Sequence, residues 1–290
     1  MADSSTKQNE LNEMSPEDAF ALLGDETRIA IIRALGMTPD DSLSFSTLRK
    51  RASVADSGQF NYHLGKLVNN FIRQTDADEY ELTYAGMRVI GAIFSGTFNQ
   101  RGTPRSFELD AMCSVCGSSL VAEYEHERVT IVCQACDDQI STFGFPPGAF
   151  ENRTHEELPH AFDGQIRAHL SAVRKCFCLN CTGRMHGSII PNSEYLLEDQ
   201  EVGIEHVCER CDNRSITSIG VYLLSQPEVV AFHYDHGINL NTTPFWELPW
   251  LREENATVLS SDPWRVQLAL KLDDDYLRLE VEDDLSASVI

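Results

Sequence analysis

Nine cysteines fall between positions 113 and 211, and eight of them form four Cys-x-x-Cys pairs: Cys113/Cys116, Cys133/Cys136, Cys178/Cys181 and Cys208/Cys211. Sixteen residues separate the first two pairs and 26 the last two. No other feature constrains the fold as much. A tight Cys-x-x-Cys turn presents two sulfurs from one knuckle, and two facing knuckles complete the tetrahedral tetrathiolate site that zinc prefers. Such a pair of knuckles, each on a hairpin, is a zinc ribbon. Leu120–Tyr124 and Arg128–Val132 read as strands of the first, meeting near Glu125–Glu127. Gly187–Ile190 and Val202–His206 are the candidate strands of the second.

Competing uses of the cysteines explain less. Disulfides need an oxidising compartment, and MADSSTKQNELNEM has neither the basic nor the apolar region of an export signal. Thioredoxin-like chemistry would account for one pair and leave three over. Four thiolates close each site, so two structural zinc ions are expected rather than a catalytic one. Spacing alone leaves exchange of pairs between the quartets open. Only Cys178 has the x-x spacing to Cys181, which leaves Cys176 as a buried thiol, or alternatively a spare ligand. A short ribbon has little apolar core, so the metal is expected to supply much of its folding free energy.

The two quartets look like halves of a diverged repeat. The first knuckle of each is followed by a glycine (Gly117; Gly183) and the second by an aspartate (Asp137; Asp212). A helix candidate follows each quartet, at His155–Lys175 and at Val229–His236. His233 and His236 share a helix face, but Asp235 is the one further ligand candidate beside them, so packing or surface roles are favoured. His155 and His160 have no ligand spacing either. The tail holds all three tryptophans in Phe245–Trp250 and in Trp264, which read as a small aromatic core. Trp264–Leu272 and Tyr276–Val281 alternate about Asp273–Asp275 and read as a C-terminal β hairpin.

Charge is distributed unevenly along the 290 residues, with 45 Asp plus Glu against 23 Lys plus Arg and a formal net charge of -22. Residues 1–105 carry a net of -3 and residues 106–290 a net of -19. The basic residues are 18 Arg and only five Lys. High acid content with little lysine resembles proteins of halophilic archaea. Hydrophobic residues make up 42%, enough for packed cores, and no run approaches the ~20 apolar residues that span a bilayer. A cytoplasmic protein without membrane contact is expected.

The first hundred residues alternate between helix and strand signals. Residues 1–15 are polar and aperiodic and read as a disordered tail. Ser15-Pro16-Glu17-Asp18 opens a helix, with an N-cap serine, an early proline and acids facing the dipole. Asp25 caps a second helix carrying Ile29, Ile32 and Leu35 and ending at Gly36. A turn at Thr38–Asp41 leads to a third, about Ser46–Ala52. Asp56 or Ser57 caps a fourth, where Phe60, Leu64, Leu67 and Phe71 repeat at helical spacing. Phe71–Gln74 and Glu79–Leu82 read as strands joined at Asp76–Asp78, and an apolar helix at Tyr84–Phe94 closes the series.

That order, three helices, a fourth, then a two-stranded ribbon, is that of a winged helix-turn-helix. The segments Leu23–Arg28, Phe45–Arg49, Asp56–Leu64 and Tyr80–Gly86 resemble the ArsR-type winged-helix transcriptional regulators, particularly haloarchaeal ones. The resemblance covers about residues 16–96. It implies double-stranded DNA as partner and a homodimer through the helix at 84–94, with packing against the downstream region as the alternative. Geometry places Ser57, Gln59, Asn61, Tyr62, His63 and Lys66 on the side of the fourth helix away from Phe60, Leu64 and Leu67. Gln and Asn suit adenine edges, and Ser and Tyr can reach phosphates. Arg49, Lys50, Arg51 and Arg73 can clamp the backbone. Residues 42–75 hold five bases and one acid, Asp56, a net of +4. His63 can equally serve an internal hydrogen-bond network. Two features depart from the family. The wing tip Asp76–Glu79 is acidic, and the helix before the recognition helix has no cysteine, so arsenic-type sensing is not supported.

The expected architecture is therefore α+β: a winged helix-turn-helix at 16–100, tandem zinc ribbons with intervening helices at 106–220, and a helix plus β hairpin at 221–290 packing on the ribbons. The expected function is a DNA-binding transcriptional regulator, not an enzyme. No Gly-rich phosphate loop, nucleophile elbow or carboxylate pair accompanies the metal sites. The ribbon region is the place for a small-molecule or protein effector. The alternatives are a protein-interaction adaptor of the transcription machinery and a metal- or redox-responsive switch.

Overall fold

The computed structural model describes residues 14–38, 41–191, 201–251 and 256–290. The chain is α+β and divides into two compact units, Met1–Gln100 and Arg101–Ile290. Most of the expected tail, and positions 39 and 40 of the turn after the second helix, lie outside the described residues. No helix among them is long and apolar enough to cross a membrane.

Unit 1 runs α1 (Pro16–Leu23), α2 (Glu26–Gly36), β1 (Leu43–Ser44), α3 (Phe45–Arg51), α4 (Ser57–Leu67), β2 (Ile72–Gln74), β3 (Glu79–Leu82) and α5 (Tyr84–Phe94). Each helix starts where a short polar side chain satisfies a free backbone N–H. Ser15, Asp25, Ser44, Asp56 and Thr83 accept from the N–H groups of Asp18, Arg28, Thr47, Gln59 and Gly86. The three strands pair antiparallel in the order β1-β3-β2. Ile31, Ile32 and Leu35 of α2 pack with Leu48, Phe60, Leu64, Leu67, Ile72 and Ile90 in one core. The apolar repeat of the fourth helix does not carry through to Phe71. α4 stops at Leu67 because Val68 turns extended and Asn69 takes a left-handed conformation (φ 68°), so Phe71 joins the core from the connection.

Unit 2 begins with a four-stranded antiparallel sheet: β4 (Arg105–Met112), β5 (Ser119–Glu125), β6 (Arg128–Cys133) and β7 (Gln139–Gly144), in that order. His126 and Glu127, both at positive φ, make the two-residue turn between β5 and β6. Helix α6 (Leu158–Arg174) follows, starting three residues later than its apolar pattern suggests because the Glu157 carboxylate turns back to the Thr154 N–H (2.8 Å). A second sheet holds β8 (Met185–Pro191), β9 (Val202–Cys208) and β10 (Arg214–Ser218), in the order β10-β9-β8. Two short helices, α7 (Ile219–Leu223) and α8 (Pro227–Asp235), lead to the C-terminal sheet.

That last sheet is larger than the expected hairpin. β12 (Trp264–Leu272) and β13 (Asp275–Glu282) do pair, but β11 (Ala256–Ser261) and β14 (Ala287–Val289) flank them. The expectation of core-poor ribbons is also corrected. Leu120, Tyr124 and Ile131 of the first sheet share one core with Phe162 of α6, Ile204 of the second sheet, Trp246, Trp250, and Val266 and Leu279 of the C-terminal sheet. Inward residues of all three sheets of unit 2 meet in this common interior.

Candidate metal centres and nucleic-acid interface

The knuckles of the first quartet sit where β4 passes to β5 and where β6 passes to β7. Cys113 Sγ lies 3.7 Å from Cys136 Sγ, and Cys116 Sγ 3.4 Å from Cys133 Sγ. In the second quartet the corresponding separations are 3.8 Å for Cys178–Cys211 and 3.4 Å for Cys181–Cys208. Within each quartet all four sulfurs lie within 4.8 Å of one another. Sulfurs bound ~2.3 Å from one tetrahedral centre stand about 3.8 Å apart, so both quartets fit a metal ion. The pairs are not exchanged: 113/116 faces 133/136, and 178/181 faces 208/211.

All four knuckles are built alike. The N–H of the first cysteine donates to the carbonyl five residues on, at 2.7–3.0 Å (Cys113–Ser118, Cys133–Asp138, Cys178–Gly183, Cys208–Asn213). The residue after the second cysteine takes a left-handed conformation each time: Gly117, Asp137, Thr182 and Asp212. In the second quartet the turn residue is therefore Thr182, and Gly183 has a different task. A Cβ at Gly183 would stand 3.0 Å from Cys208 Sγ and 3.1 Å from Cys181 Sγ. The Gly183 N–H also donates to Cys181 Sγ at 3.4 Å, as the Arg210 N–H does to Cys208 Sγ. Cys176 is exposed rather than buried, because it occupies the left-handed turn that ends α6 and lies outside the quartet.

The thiols differ in acidity. Hydrogen bonds from Ser118, side chain before backbone, hold Cys116 down to about 6. The backbone N–H of Arg210 leads in lowering Cys208 to about 7. Cys211 foremost pushes Cys181 up to about 12. Against a lowering backbone bond at Asp138, burial and the neighbouring sulfurs push Cys136 up to about 12. A cation that gathers four thiolates must therefore displace protons, and binding weakens as pH falls.

In unit 1, α4 turns Phe60, Leu64 and Leu67 inward and leaves Ser57, Gln59, Asn61, Tyr62 and Lys66 exposed. The Lys66 ammonium sits 5.6 Å from the centre of the Tyr62 ring. His63 is withdrawn from this face. Its Nδ1 lies 3.2 Å from Asp25 Oδ1 and its side chain is 13% exposed, so it braces α4 against the start of α2. Lys50 is exposed, while Arg49 and Arg51 each hold a local contact, with the Ala55 carbonyl (3.1 Å) and the Thr38 hydroxyl (2.9 Å). Arg73 pairs with Glu81 across β2 and β3. The structure thus gathers the expected polar residues on α4 and the end of α3, and it ties His63 and Arg73 to carboxylates.

Residues 110–287 match the model of a family described as a domain of unknown function, DUF7351, over more than half of the chain. The chain belongs to the DUF7351 family. Residues 16–93 match a second domain of unknown function, DUF7347. No curated protein and no solved structure matches the chain.

Within the DUF7351 region, two clamps escaped sequence reasoning. Buried Asp163 accepts from the Phe245 N–H (3.1 Å) and from Arg167 (2.5 Å), and Arg167 donates on to the Thr243 carbonyl (2.8 Å). Arg174 donates to the Tyr222 carbonyl and to Gln226 Oε1, both at 2.8 Å. The i, i+4 spacing of Asp163 and Arg167 on α6 was a readable signal of their pairing. The partners, 48 to 82 residues away, were not readable.

Proposed function

We propose that this chain is a DNA-binding transcriptional regulator whose first unit is a winged helix-turn-helix and whose second holds two structural zinc ions. On this reading α3 and α4 form the helix-turn-helix, α4 is the recognition helix, and β2–β3 is the wing. The observation that carries it is the outward face of α4. Amide, hydroxyl and ammonium groups of Gln59, Asn61, Tyr62 and Lys66 stand together on a rigid helix, beside Lys50, in a stretch of net +4 within a chain of -22. Such groups suit base edges and phosphates. The carboxylate contacts of His63 and Arg73 make them positioning residues for α4 and the wing. Zinc, when bound, supplies four strong bonds that pin two knuckles together. Cys113, Cys116, Cys133 and Cys136 would hold one ion, and Cys178, Cys181, Cys208 and Cys211 the other. Closed tetrathiolate sites leave no open position for substrate, in keeping with a structural role.

The surrounding acids do not preclude DNA at high salt. At molar ionic strength the Debye length is about 3 Å, so distant carboxylates hardly repel the phosphates. Counterion release weakens as well, and short-range contacts from α4 carry more of the affinity. A dimer through α5 fits the exposure of Tyr84, Met87 and Phe94 on that helix.

Selection of genomic DNA fragments at molar salt tests the reading. Fragments enriched by the native chain and lost with Gln59→Ala, Tyr62→Ala and Lys66→Ala combined are the expected result. Equal enrichment by the variant, or none by either, rejects the mechanism. The acidic tip Asp76–Asp78 favours a second reading, an adaptor that binds protein through unit 1, and that reading predicts no DNA enrichment at all.

A further inference from the structure

β7 and β10 hold equivalent places in the two halves of the repeat. Each leaves the second knuckle of its quartet, and each is an edge strand of its sheet. Both also line one open cleft of about 700 Å³. All six residues of β7 and all five of β10 take part. Successive side chains of a strand point to opposite faces, so a cavity lined by every residue in turn runs along the strand's edge rather than under one face. The outward N–H and C=O groups of an edge are a template for another strand. Among the described residues, no backbone hydrogen bond outside the β6–β7 and β9–β10 ladders involves either strand.

Soluble proteins usually blunt such edges with charge or proline. The opposite edge of the first sheet, β4, carries Arg105, Glu108 and Asp110, and β8 closes on Pro191. β7, reading Gln-Ile-Ser-Thr-Phe-Gly, has neither device, and β10 has only Arg214 at its first position. Ile166 of α6 and Trp246 give the cleft an apolar floor. In a chain with 45 acidic residues, the cleft wall has no carboxylate among the described residues; Arg214 is paired with Glu205 beside it (3.0 Å) and His169 with the Ser215 hydroxyl (2.9 Å), which leaves Arg128 as the cation facing the cleft.

We propose that this cleft captures an extended acidic segment of a partner protein as a strand added to β7 and β10. Main-chain hydrogen bonds along the free edges hold it, an apolar side chain rests over Ile166 and Trp246, and a carboxylate meets Arg128. A six-residue strand spans about 20 Å, the length of segment that matches β7. The site lies wholly within unit 2 and does not depend on DNA binding by unit 1.

The test uses the full metal-loaded chain and a displayed library of random octapeptides. Selected peptides are expected to carry Asp or Glu beside alternating apolar residues. N-methylation of their alternate backbone nitrogens should weaken binding about tenfold, since two or so hydrogen bonds are lost. Ser141→Lys with Thr217→Lys should abolish binding. Should that double variant misfold, amide exchange in the native chain still decides, because added peptide should slow exchange at Ser141–Phe143 and at Ile216–Thr217. Absence of any selected peptide, binding indifferent to N-methylation, or protection confined to other strands each overturns the proposal.

Discussion

Gly183 has no room for a side chain beside the second quartet. An added Cβ would meet Arg210 Cβ at 2.9 Å as well as the two ligand sulfurs. Gly183→Ala should displace a sulfur and lower bound metal from two ions per chain toward one, read by elemental analysis after dialysis. Gly117→Ala is the contrasting change. Its φ of +73° costs roughly 1–2 kcal/mol in an L residue, but nothing stands within 4 Å, so both ions should remain. Three histidines weaken unit 2 in acid, against the opposite pull of His236, which its hydrogen bond to the Phe232 carbonyl shifts upward. Burial lowers His169 and His233, and burial foremost, with His186 and His169 nearby, lowers His206 to about 4. The unfolded chain then binds protons more readily than the folded one below 6.5. The stability these residues contribute is complete above that pH and is lost as pH falls toward 4. The unfolding midpoint, followed by the tryptophans that all lie in unit 2, should drop between pH 7 and 5. His169→Gln should reduce the drop, and an unchanged slope in that variant would count against the assignment.

Among the elements, α6 is the strut on which much of unit 2 hangs. Asp163→Ala would leave the Phe245 N–H and the Arg167 guanidinium without their carboxylate, a loss of about 3 kcal/mol measurable by denaturant unfolding. On α5, Met87→Asp with Phe94→Asp should convert the proposed dimer to a monomer in sedimentation, with the unit 1 core intact because both side chains are exposed. Sequence reasoning reached these elements unevenly, for physical reasons. α4 was legible because Phe60, Leu64 and Leu67 repeat at the helical period and Asp56 caps it. The quartets were legible because tetrahedral coordination restricts spacing in a way that packing does not. α7 was not anticipated: Ile219–Leu223 is a five-residue apolar run that suits a buried strand or a buried helix equally. β14 was missed because three residues carry too few alternations to stand out, and β11 because Val258-Leu259 followed by Ser260-Ser261 breaks the alternation of apolar and polar residues. The exposure of Cys176 depends on a left-handed backbone turn with no glycine to announce it.

Across the whole molecule, periodicity tells which face of an element is buried but not what it is buried against. For that reason the sequence, though it suggests a C-terminal region packing on the ribbons, does not reveal which residues meet in the one interior that the ribbon strands share with the C-terminal sheet. Deleting residues 252–290 should therefore unfold most of unit 2 rather than trim it, seen as loss of slow amide exchange in β5 and β6. That interior also imposes an order on synthesis. The first knuckle pair closes a loop of a couple of dozen residues and can form as soon as position 136 has left the ribosome. Phe107 and Leu120, by contrast, must wait for Val266 and Val281, emitted some 150 residues later, before their surroundings are complete. Contacts so distant in sequence form slowly and leave apolar surface open meanwhile. Through that interval the sulfur quartets, each assembled from nearby chain, would be the staples that keep the waiting strands in register once a metal ion closes them.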